Sequence, residues 1–129
     1  MIAKDIMTRE IITVDPNMSV KTLALTLIKN QISGAPVAGK DGKIVGIVSE
    51  ADIVAKKGKD VKAIMSKKVI SVREDTSVEE LAKLMTTHVI KRLPVMSSGK
   101  IVGIVSRADI VSAIALGKHV AIHTPIYDL

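Results

Sequence analysis

A serine followed three residues later by an aspartate occurs twice in the sequence, as Ser49 with Asp52 and as Ser106 with Asp109. A carboxylate can accept hydrogen bonds from both hydroxyls of a ribose. A serine hydroxyl and the free N–H groups at a helix start can bind a phosphate, helped by the helix dipole. The same spacing is also typical of a capping box, with aspartate at the third helical position. The motif alone therefore leaves a ribose phosphate site and a helix cap equally open.

A basic residue, Arg92, stands in the run Ile90-Lys91-Arg92-Leu93-Pro94, shortly before the second of these motifs. The related run before the first motif is Ile32-Ser33-Gly34-Ala35-Pro36, which has Gly34 at the same place. Arginine suits phosphate because its planar guanidinium donates two parallel hydrogen bonds. The alternative for Arg92 is an ion pair at the protein surface.

Other chemistry has little support in the sequence. Cysteine is absent, which excludes disulfides, thiolate zinc sites and a cysteine nucleophile. His119 and His123 are four residues apart, but Asp128 is the only nearby carboxylate, so we expect no metal site. We expect His88 late on a helix and partly exposed. Because no nucleophile–base pair, P-loop or catalytic pair of carboxylates is present, we expect no enzymatic activity and no required cofactor.

The composition limits both the core and the ligand. Of the 129 residues, 47% are hydrophobic but only 1% are aromatic, so Ile, Val, Leu, Ala and Met must build the core. A bound base could not be held mainly by aromatic stacking, because Tyr127 is the only aromatic residue, so strand backbone groups and aliphatic side chains would have to hold it. The 19 basic against 13 acidic residues favour an anionic partner, or form only a solvated lysine-rich surface.

The elements that position the motifs come from an internal repeat. Lys43–Val54 recurs as Lys100–Val111, and the two segments differ only at Glu50 and Arg107. The repeat fills almost the whole chain, and such units bury a common core by packing together. The predicted organisation is repeat 1 at 1–58, repeat 2 at 59–116 and a tail at 117–129. The apolar tail residues Ile122, Ile126 and Leu129 would cap the core or contact a neighbouring molecule.

Each copy is predicted to run strand, helix, strand, strand, helix. The two copies have equivalent predicted elements: first strands at Ile11–Val14 and Val69–Val72, second strands at Ala35–Val37 and Leu93–Met96, and third strands at Lys43–Val48 and Lys100–Val105. Hairpin turns are predicted at 39–42 and 97–99. The fold class is thus α+β, with two β-α-β-β-α repeats packed sheet to sheet about a pseudo-twofold axis.

Serines mark the predicted helix starts. Ser19 and Ser77 cap the first helices, and Glu80 would complete a capping box with Ser77. Second helices begin at Glu50 and Arg107. The apolar stripes of the first helices are Val20, Leu23, Ala24, Leu27 and Ile28 in one copy, and Val78, Leu81, Ala82, Met85 and Val89 in the other.

Two further features leave alternatives open. Gly46 and Gly103 lie inside third strands, which indicates close approach of another backbone or a ligand, or packing between the sheets, the interpretation we favour. The stretch from Lys56 to Lys68 between the copies contains six lysines. It is an anion-binding patch or, as we prefer, a soluble connector.

The duplicated β-α-β-β-α pattern, with Gly-Ile-Val-Ser-x-x-Asp closing each copy, resembles a tandem pair of CBS (cystathionine-β-synthase) domains over roughly residues 1–116. Such pairs are regulatory modules in the AMP-activated kinase γ subunit, inosine monophosphate dehydrogenase, chloride channels and magnesium transporters. The resemblance implies an adenosine-containing ligand, AMP, ADP, ATP or S-adenosylmethionine, in the cleft between the repeats. It also implies a homodimer, and here a module standing alone.

The resemblance further implies two pockets, each built from both copies. The first combines ribose and phosphate contacts with a surface for the base: Asp109, Ser106, Arg92, Ile104, Lys91, Met7, Ile12 and Ile32. The second has no arginine: Asp52, Ser49, Ile47, Gly34, Met65, Ile70 and Ile90. We expect the Arg92 pocket to bind phosphate-bearing nucleotides more tightly, and the other to be empty or to take a less anionic ligand.

Three functions follow from these features. The first is a cytoplasmic, energy-sensing regulatory module that binds an adenosine nucleotide and signals to a protein partner. The second is a nucleic-acid-binding protein that uses the basic surface, although Tyr127 is the only aromatic residue that could stack on single strands. The third is a dimerisation scaffold with vestigial clefts. No apolar run approaches the roughly 20 residues needed to span a membrane, and Met1–Glu10 has no signal-peptide core, so we expect a soluble protein without a membrane partner.

Overall fold

The computed structural model describes residues 1–116. The helices of this part of the chain are α1 (Ala3–Ile6), α2 (Val20–Asn30), α3 (Glu50–Ala55), α4 (Val61–Ile64), α5 (Val78–His88) and α6 (Arg107–Ala115). The strands are β1 (Gly34–Ala38), β2 (Ile44–Ser49), β3 (Val72–Arg73), β4 (Arg92–Ser97) and β5 (Lys100–Ser106). The predicted α+β class is confirmed, as are the second and third strands and the second helices. The tail residues Ile122, Ile126 and Leu129 lie outside the described residues.

The chain forms two compact units. The first-copy unit is Ile12–Val69, and the second-copy unit joins Met1–Ile11 to the described residues 70–116. The units in space therefore have different boundaries from the repeats in the sequence. Each unit contains one β-α-β-β-α copy together with the short segment that precedes the other copy.

The two leading segments, residues 1–11 and 59–69, make equivalent contacts in their units. In the second-copy unit Ala3 N–H donates to Thr76 O at 2.7 Å, and Val78 N–H donates to Met1 O at 3.0 Å. In the first-copy unit Val20 N–H donates to Lys59 O at 3.1 Å. Each segment contains a four-residue helix, α1 or α4, that the sequence analysis did not predict.

The stretch from Lys56 to Lys68 is therefore more than a soluble connector. Val61 and Ile64 of α4 are fully buried in the core of the first-copy unit. The sequence did not reveal the burial of Val61 and Ile64. The stretch is rich in lysine, and a four-residue helix shows too little periodicity to mark its apolar side.

The first strands are shorter than predicted, and a proline in each second strand explains why. Of Ile11–Val14 only Val14 pairs, in a parallel bridge with Val37, and of Val69–Val72 only Val72 joins β3. Val14 N–H donates to Pro36 O at 3.0 Å. The next bond toward the N-terminus would need the N–H of that proline, which does not exist. Pro94 imposes the same limit beside β3, where Val72 pairs with Val95.

The hairpins join the second and third strands as predicted. β1 pairs antiparallel with β2, and β4 pairs antiparallel with β5. Ser98 and Gly99 both have positive φ, 51° and 77°, as a two-residue turn matching the strand twist requires. In the longer first-copy loop, Gly42 has a φ of 77°.

The first helices begin at the predicted caps. Thr22 N–H donates to Ser19 Oγ, and Glu80 N–H donates to Ser77 Oγ, each at 3.1 Å. Of the two bonds of a Ser77–Glu80 capping box, this is the one the structure records.

The apolar stripes of the first helices were predicted one residue too long in both copies. Ile28 is 73% exposed on α2, whereas Val89 follows the end of α5 and is 89% exposed. The buried residues of the stripes are Leu23, Leu27, Val78, Leu81, Ala82 and Met85. Each unit has its own aliphatic core, to which β4 and β5 contribute Leu93, Val95 and Val105 in the second-copy unit.

Candidate functional site

Both Ser-x-x-Asp motifs cap helices. Ser106 N–H donates to Asp109 Oδ2 at 2.7 Å, and Asp109 N–H donates to Ser106 Oγ at 3.2 Å. In the first copy Ser49 N–H donates to Asp52 Oδ2 at 2.9 Å. In each motif the cap uses Oδ2 of the aspartate, so the other carboxylate oxygen, Oδ1, does not take part in the bond to the backbone.

Strand pairing brings Arg92 to the second motif. Arg92 of β4 lies directly opposite Ser106 of β5 in the antiparallel register. Such partners have side chains on the same face, with Cα atoms about 4.5 to 5.5 Å apart. Lys91 O accepts a 2.7 Å hydrogen bond from Arg107 N–H, which fixes the chain before Arg92 against the start of α6. Arg92, Ser106 and Asp109 are all half-buried.

The first copy has the same backbone arrangement without the arginine. Gly34 lies opposite Ser49, and Ser33 O accepts a 2.8 Å hydrogen bond from Glu50 N–H. Gly34 is buried and brings no charged side chain to this position.

A methionine from each leading segment packs on the glycine of the third strand. A Cβ added to Gly46 would lie 2.6 Å from Met65 Sδ and 2.8 Å from Ser66 O, and one added to Gly103 would lie 2.8 Å from Met7 Cγ. At Gly46 an added side chain would meet the backbone oxygen of Ser66, whereas at Gly103 it would meet only the flexible side chain of Met7, which would have to shift. The approach of a leading segment inside each unit thus gives a reason for each strand glycine, while the favoured interpretation, packing between the sheets, stays a prediction.

The leading segments also hydrogen-bond to the third strands. Thr8 N–H donates to Ile104 O at 2.9 Å, and Ile104 N–H donates to Thr8 O at 3.0 Å. Ile47 and Ser66 form the same pair of bonds in the first-copy unit, at 2.9 and 2.8 Å. The backbone of Ile104 is therefore already occupied, which leaves its half-buried side chain available for contact with a ligand.

The predicted site residues divide between the two units. The second-copy unit contains Met7, Lys91, Arg92, Ile104, Ser106 and Asp109. The first-copy unit contains Gly34, Ile47, Ser49, Asp52 and Met65. Ile12 and Ile32 belong to the first-copy unit, and Ile70 and Ile90 to the second. Each of these four was predicted to contact a ligand held by the opposite copy, and that part stays a prediction.

One residue that the sequence analysis did not single out for the site is Lys56. Its Nζ lies 2.9 Å from Asp52 Oδ1 and donates to Ile64 O at 3.1 Å. The spacing of four residues after Asp52 was the available signal, because aspartate and lysine at i and i+4 face each other on a helix. The corresponding residue of the second copy is Ala113, which is buried.

The described residues give no sign of a metal site or a membrane span. Within residues 1–116, no three histidine or acidic side chains come together in a way that could hold a metal ion. In the same range no helix has the length and apolar character to cross a bilayer. His88 is exposed at the end of α5, as expected, whereas His119, His123 and Asp128 lie outside the described residues.

A comparison with protein families matches the model of the CBS domain twice, at residues 3–58 and 61–116. The chain belongs to the CBS domain family. Among the relatives of this CBS pair is the uncharacterized protein MJ1426 of Methanocaldococcus jannaschii, which is 35% identical over 88% of this chain and 91% of that protein. Several other relatives are much longer, and the chain spans only 22% to 38% of them.

Solved CBS pairs share the fold. The CBS domain pair of protein MJ0100, in complex with 5′-methylthioadenosine and S-adenosyl-L-methionine, is 34% identical with a TM-score of 0.85. CBSX2 in complex with AMP is 29% identical, also with a TM-score of 0.85. Each match covers 92% of this chain and 98% of the other. The predicted family and its two repeats are thereby confirmed.

Proposed function

We propose that this CBS pair is a non-catalytic regulatory module that binds an adenosine-containing ligand and signals its presence to a protein partner. The observation that carries the proposal is the placement of Arg92 opposite Ser106 on neighbouring strands, with Asp109 bonded to that serine. The adenosine ligands of MJ0100 and CBSX2 support the same ligand class.

Each group of the second-copy unit has a distinct role in this proposal. Asp109 Oδ1 accepts hydrogen bonds from the ribose hydroxyls, while Oδ2 keeps the helix cap. Arg92 and the start of α6 bind the phosphate, with Lys91 adding positive charge. The aliphatic side chains of Met7 and Ile104 contact the base, since the described residues include no aromatic side chain.

Signalling requires a ligand-dependent preference of the partner. A partner that binds the liganded form more tightly must raise the ligand affinity by the same factor, because the coupling free energy is shared. We propose that this protein works as a cytoplasmic homodimer and that the partner recognises the dimer.

The basic stretch between the copies gives less support to nucleic-acid binding than the sequence suggested. Lys56 is paired with Asp52, and Lys62 donates to Asn17 Oδ1 at 3.1 Å and lies 3.8 Å from Asp60 Oδ2. Two of the six lysines therefore have intramolecular partners that a phosphate backbone would have to displace.

Calorimetric titration with AMP, ADP, ATP and S-adenosylmethionine tests the proposal, with wild-type protein and the Asp109→Asn variant. We expect saturable binding of at least one ligand and a loss of about tenfold or more in the variant, because a charge-assisted acceptor is removed. Asp75→Asn is the matched control, since the Asp75 side chain is 73% exposed on the same unit. Absence of binding by a second, non-calorimetric method would overturn the proposal and leave a ligand-free scaffold.

A further inference from the structure

We propose that Lys56 is an internal competitor for the ribose-binding carboxylate of the first copy and thereby makes the two adenosine sites unequal. The inference rests on the proposed function, because it assigns Asp52 the role that Asp109 has in the second copy. It adds a residue that acts on selectivity between the sites: Lys56 of the first copy, replaced by Ala113 in the second.

Both oxygens of the Asp52 carboxylate have partners within the protein. Its Oδ2 accepts the hydrogen bond from Ser49 N–H at 2.9 Å, and its Oδ1 lies 2.9 Å from Lys56 Nζ. Both carboxylate oxygens are therefore engaged by the protein itself. Asp109 uses Oδ2 in the same way, but the residue four positions after it is Ala113, which cannot form the equivalent ion pair.

The ion pair between Asp52 and Lys56 is strengthened by partial burial and by a second hydrogen bond of Lys56. The Asp52 side chain is only 16% exposed and that of Lys56 is 46% exposed, so the pair is partly shielded from water. Lys56 Nζ also donates to Ile64 O at 3.1 Å, which anchors the ammonium group at the end of α4. A lysine held by two partners loses less freedom on pairing than one held by the carboxylate alone.

A ribose that binds Asp52 would compete with the Lys56 ammonium group. Ribose hydroxyls are neutral donors, and a neutral donor that replaces an ammonium at a carboxylate exchanges a charge-assisted hydrogen bond with a cation for a weaker one. Binding at Asp52 would therefore weaken or displace the pair with Lys56. The second copy carries no such cost, because alanine at position 113 offers no donor.

The test isolates the first-copy site in an Asp109→Asn background and measures AMP affinity by calorimetry. Lys56→Met removes the ammonium and keeps the apolar stem, and we expect it to tighten AMP binding by about five- to tenfold. Lys56→Gln serves as a second neutral variant that still carries a donor for Ile64 O. Lys56→Arg retains the charge and is expected to bind AMP as weakly as the background protein.

Lys57→Met is the matched control, because Lys57 is the adjacent exposed lysine and its loss changes the net charge equally. The affinity gain must be absent in Lys57→Met, and Asp52→Asn must abolish it in Lys56→Met. Thermal melting of each variant confirms folding.

The possible outcomes separate the two proposals. Unchanged or weaker AMP binding in both Lys56→Met and Lys56→Gln, while wild type binds AMP, overturns the role of Lys56 and leaves the proposed function intact. Equal AMP affinity of the two sites in the wild-type protein would likewise overturn the role of Lys56 and leave the proposed function intact. If neither wild type nor any variant binds an adenosine ligand, both proposals fail.

Discussion

The two units have the same backbone around their Ser-x-x-Asp motifs but differ in the charges next to them. In both, a strand residue faces the serine, a carbonyl accepts the first N–H of the following helix, and a methionine packs on a strand glycine. Beside the serine stands Gly34 in one and Arg92 in the other. Four residues after the aspartate stands Lys56 in one and Ala113 in the other.

This comparison distinguishes the residues that the shared backbone geometry requires from the residues that set the charge beside each motif. Glycine, proline and serine recur in both copies because the backbone geometry requires them, through close approach, a missing N–H and a helix cap. The charged residues differ between the copies although the backbone pairing beside them recurs. Duplication can thus keep the same local geometry in two units while giving them different charges.

The strongest test of the shared geometry is Gly46→Ala compared with Gly103→Ala. We expect Gly46→Ala to lower the free energy of unfolding by about 3 kcal/mol, because the added methyl meets the backbone oxygen of Ser66 as well as Met65. Gly103→Ala should cost somewhat less, since the flexible side chain of Met7 can shift. Urea denaturation measures both.

Gly39→Ala is the control for the two glycines. Its added methyl would lie 3.4 Å from Asp41 Oδ1, close to ordinary contact. An effect of Gly46→Ala no larger than that of Gly39→Ala would show that the leading segment does not need the strand glycine.

The charge difference is tested by Arg92→Ala, titrated with AMP and with adenosine. We expect a loss of about tenfold for AMP, because a charge-assisted contact to the phosphate disappears. Adenosine has no phosphate, so its affinity should stay the same. Arg73→Ala, which removes an 82% exposed arginine from the same unit, should affect neither ligand. Equal losses for AMP and adenosine would instead indicate that Arg92 supports the fold.

The smallest expected effect concerns the ends of α2 and α5. Gln31 and Val89 both have left-handed backbones, with φ of 54° and 53°. This conformation is unfavourable for a β-branched side chain, and Val89 is 89% exposed with little packing to compensate. Val89→Gly should therefore raise the free energy of unfolding by about 1 kcal/mol, and Gln31→Gly by less. Thermal melting compares the two, and destabilisation by Val89→Gly would refute the strain at this position.

Elements with local signals were predictable from the sequence. The hairpins followed from Gly42 and Gly99, and the helix starts from serines, because turns and caps depend on a few adjacent residues. The pairing of Arg92 with Ser106 was not predicted, because both residues lie just outside the predicted strands and the register shifts between Val95 and Met96.

Features that depend on distant contacts were not predictable. The helices α1 and α4 gain their burial from segments more than 40 residues away, such as Ile2 against Ser77 and Asp60 against Ser19. The first strands end where Pro36 and Pro94 lack an N–H, a fact that matters only once the parallel pairing is known. The Lys56 side chain could extend into solvent or pair with Asp52, and the spacing of the two residues alone could not decide between these arrangements.

Each unit contains the leading segment that precedes the other copy, so the two units become complete at different times during synthesis. The first-copy unit is continuous in sequence, so every contact inside Ile12–Val69 is available once Val69 has left the ribosome. The second-copy unit instead closes a loop from Met1–Ile11 to residues beyond Ile70. Closing so long a loop is slow, because its entropy must be lost before the contacts form. The N-terminal segment, though made first, therefore cannot form its contacts in the second-copy unit until residues from Ile70 onward have been made.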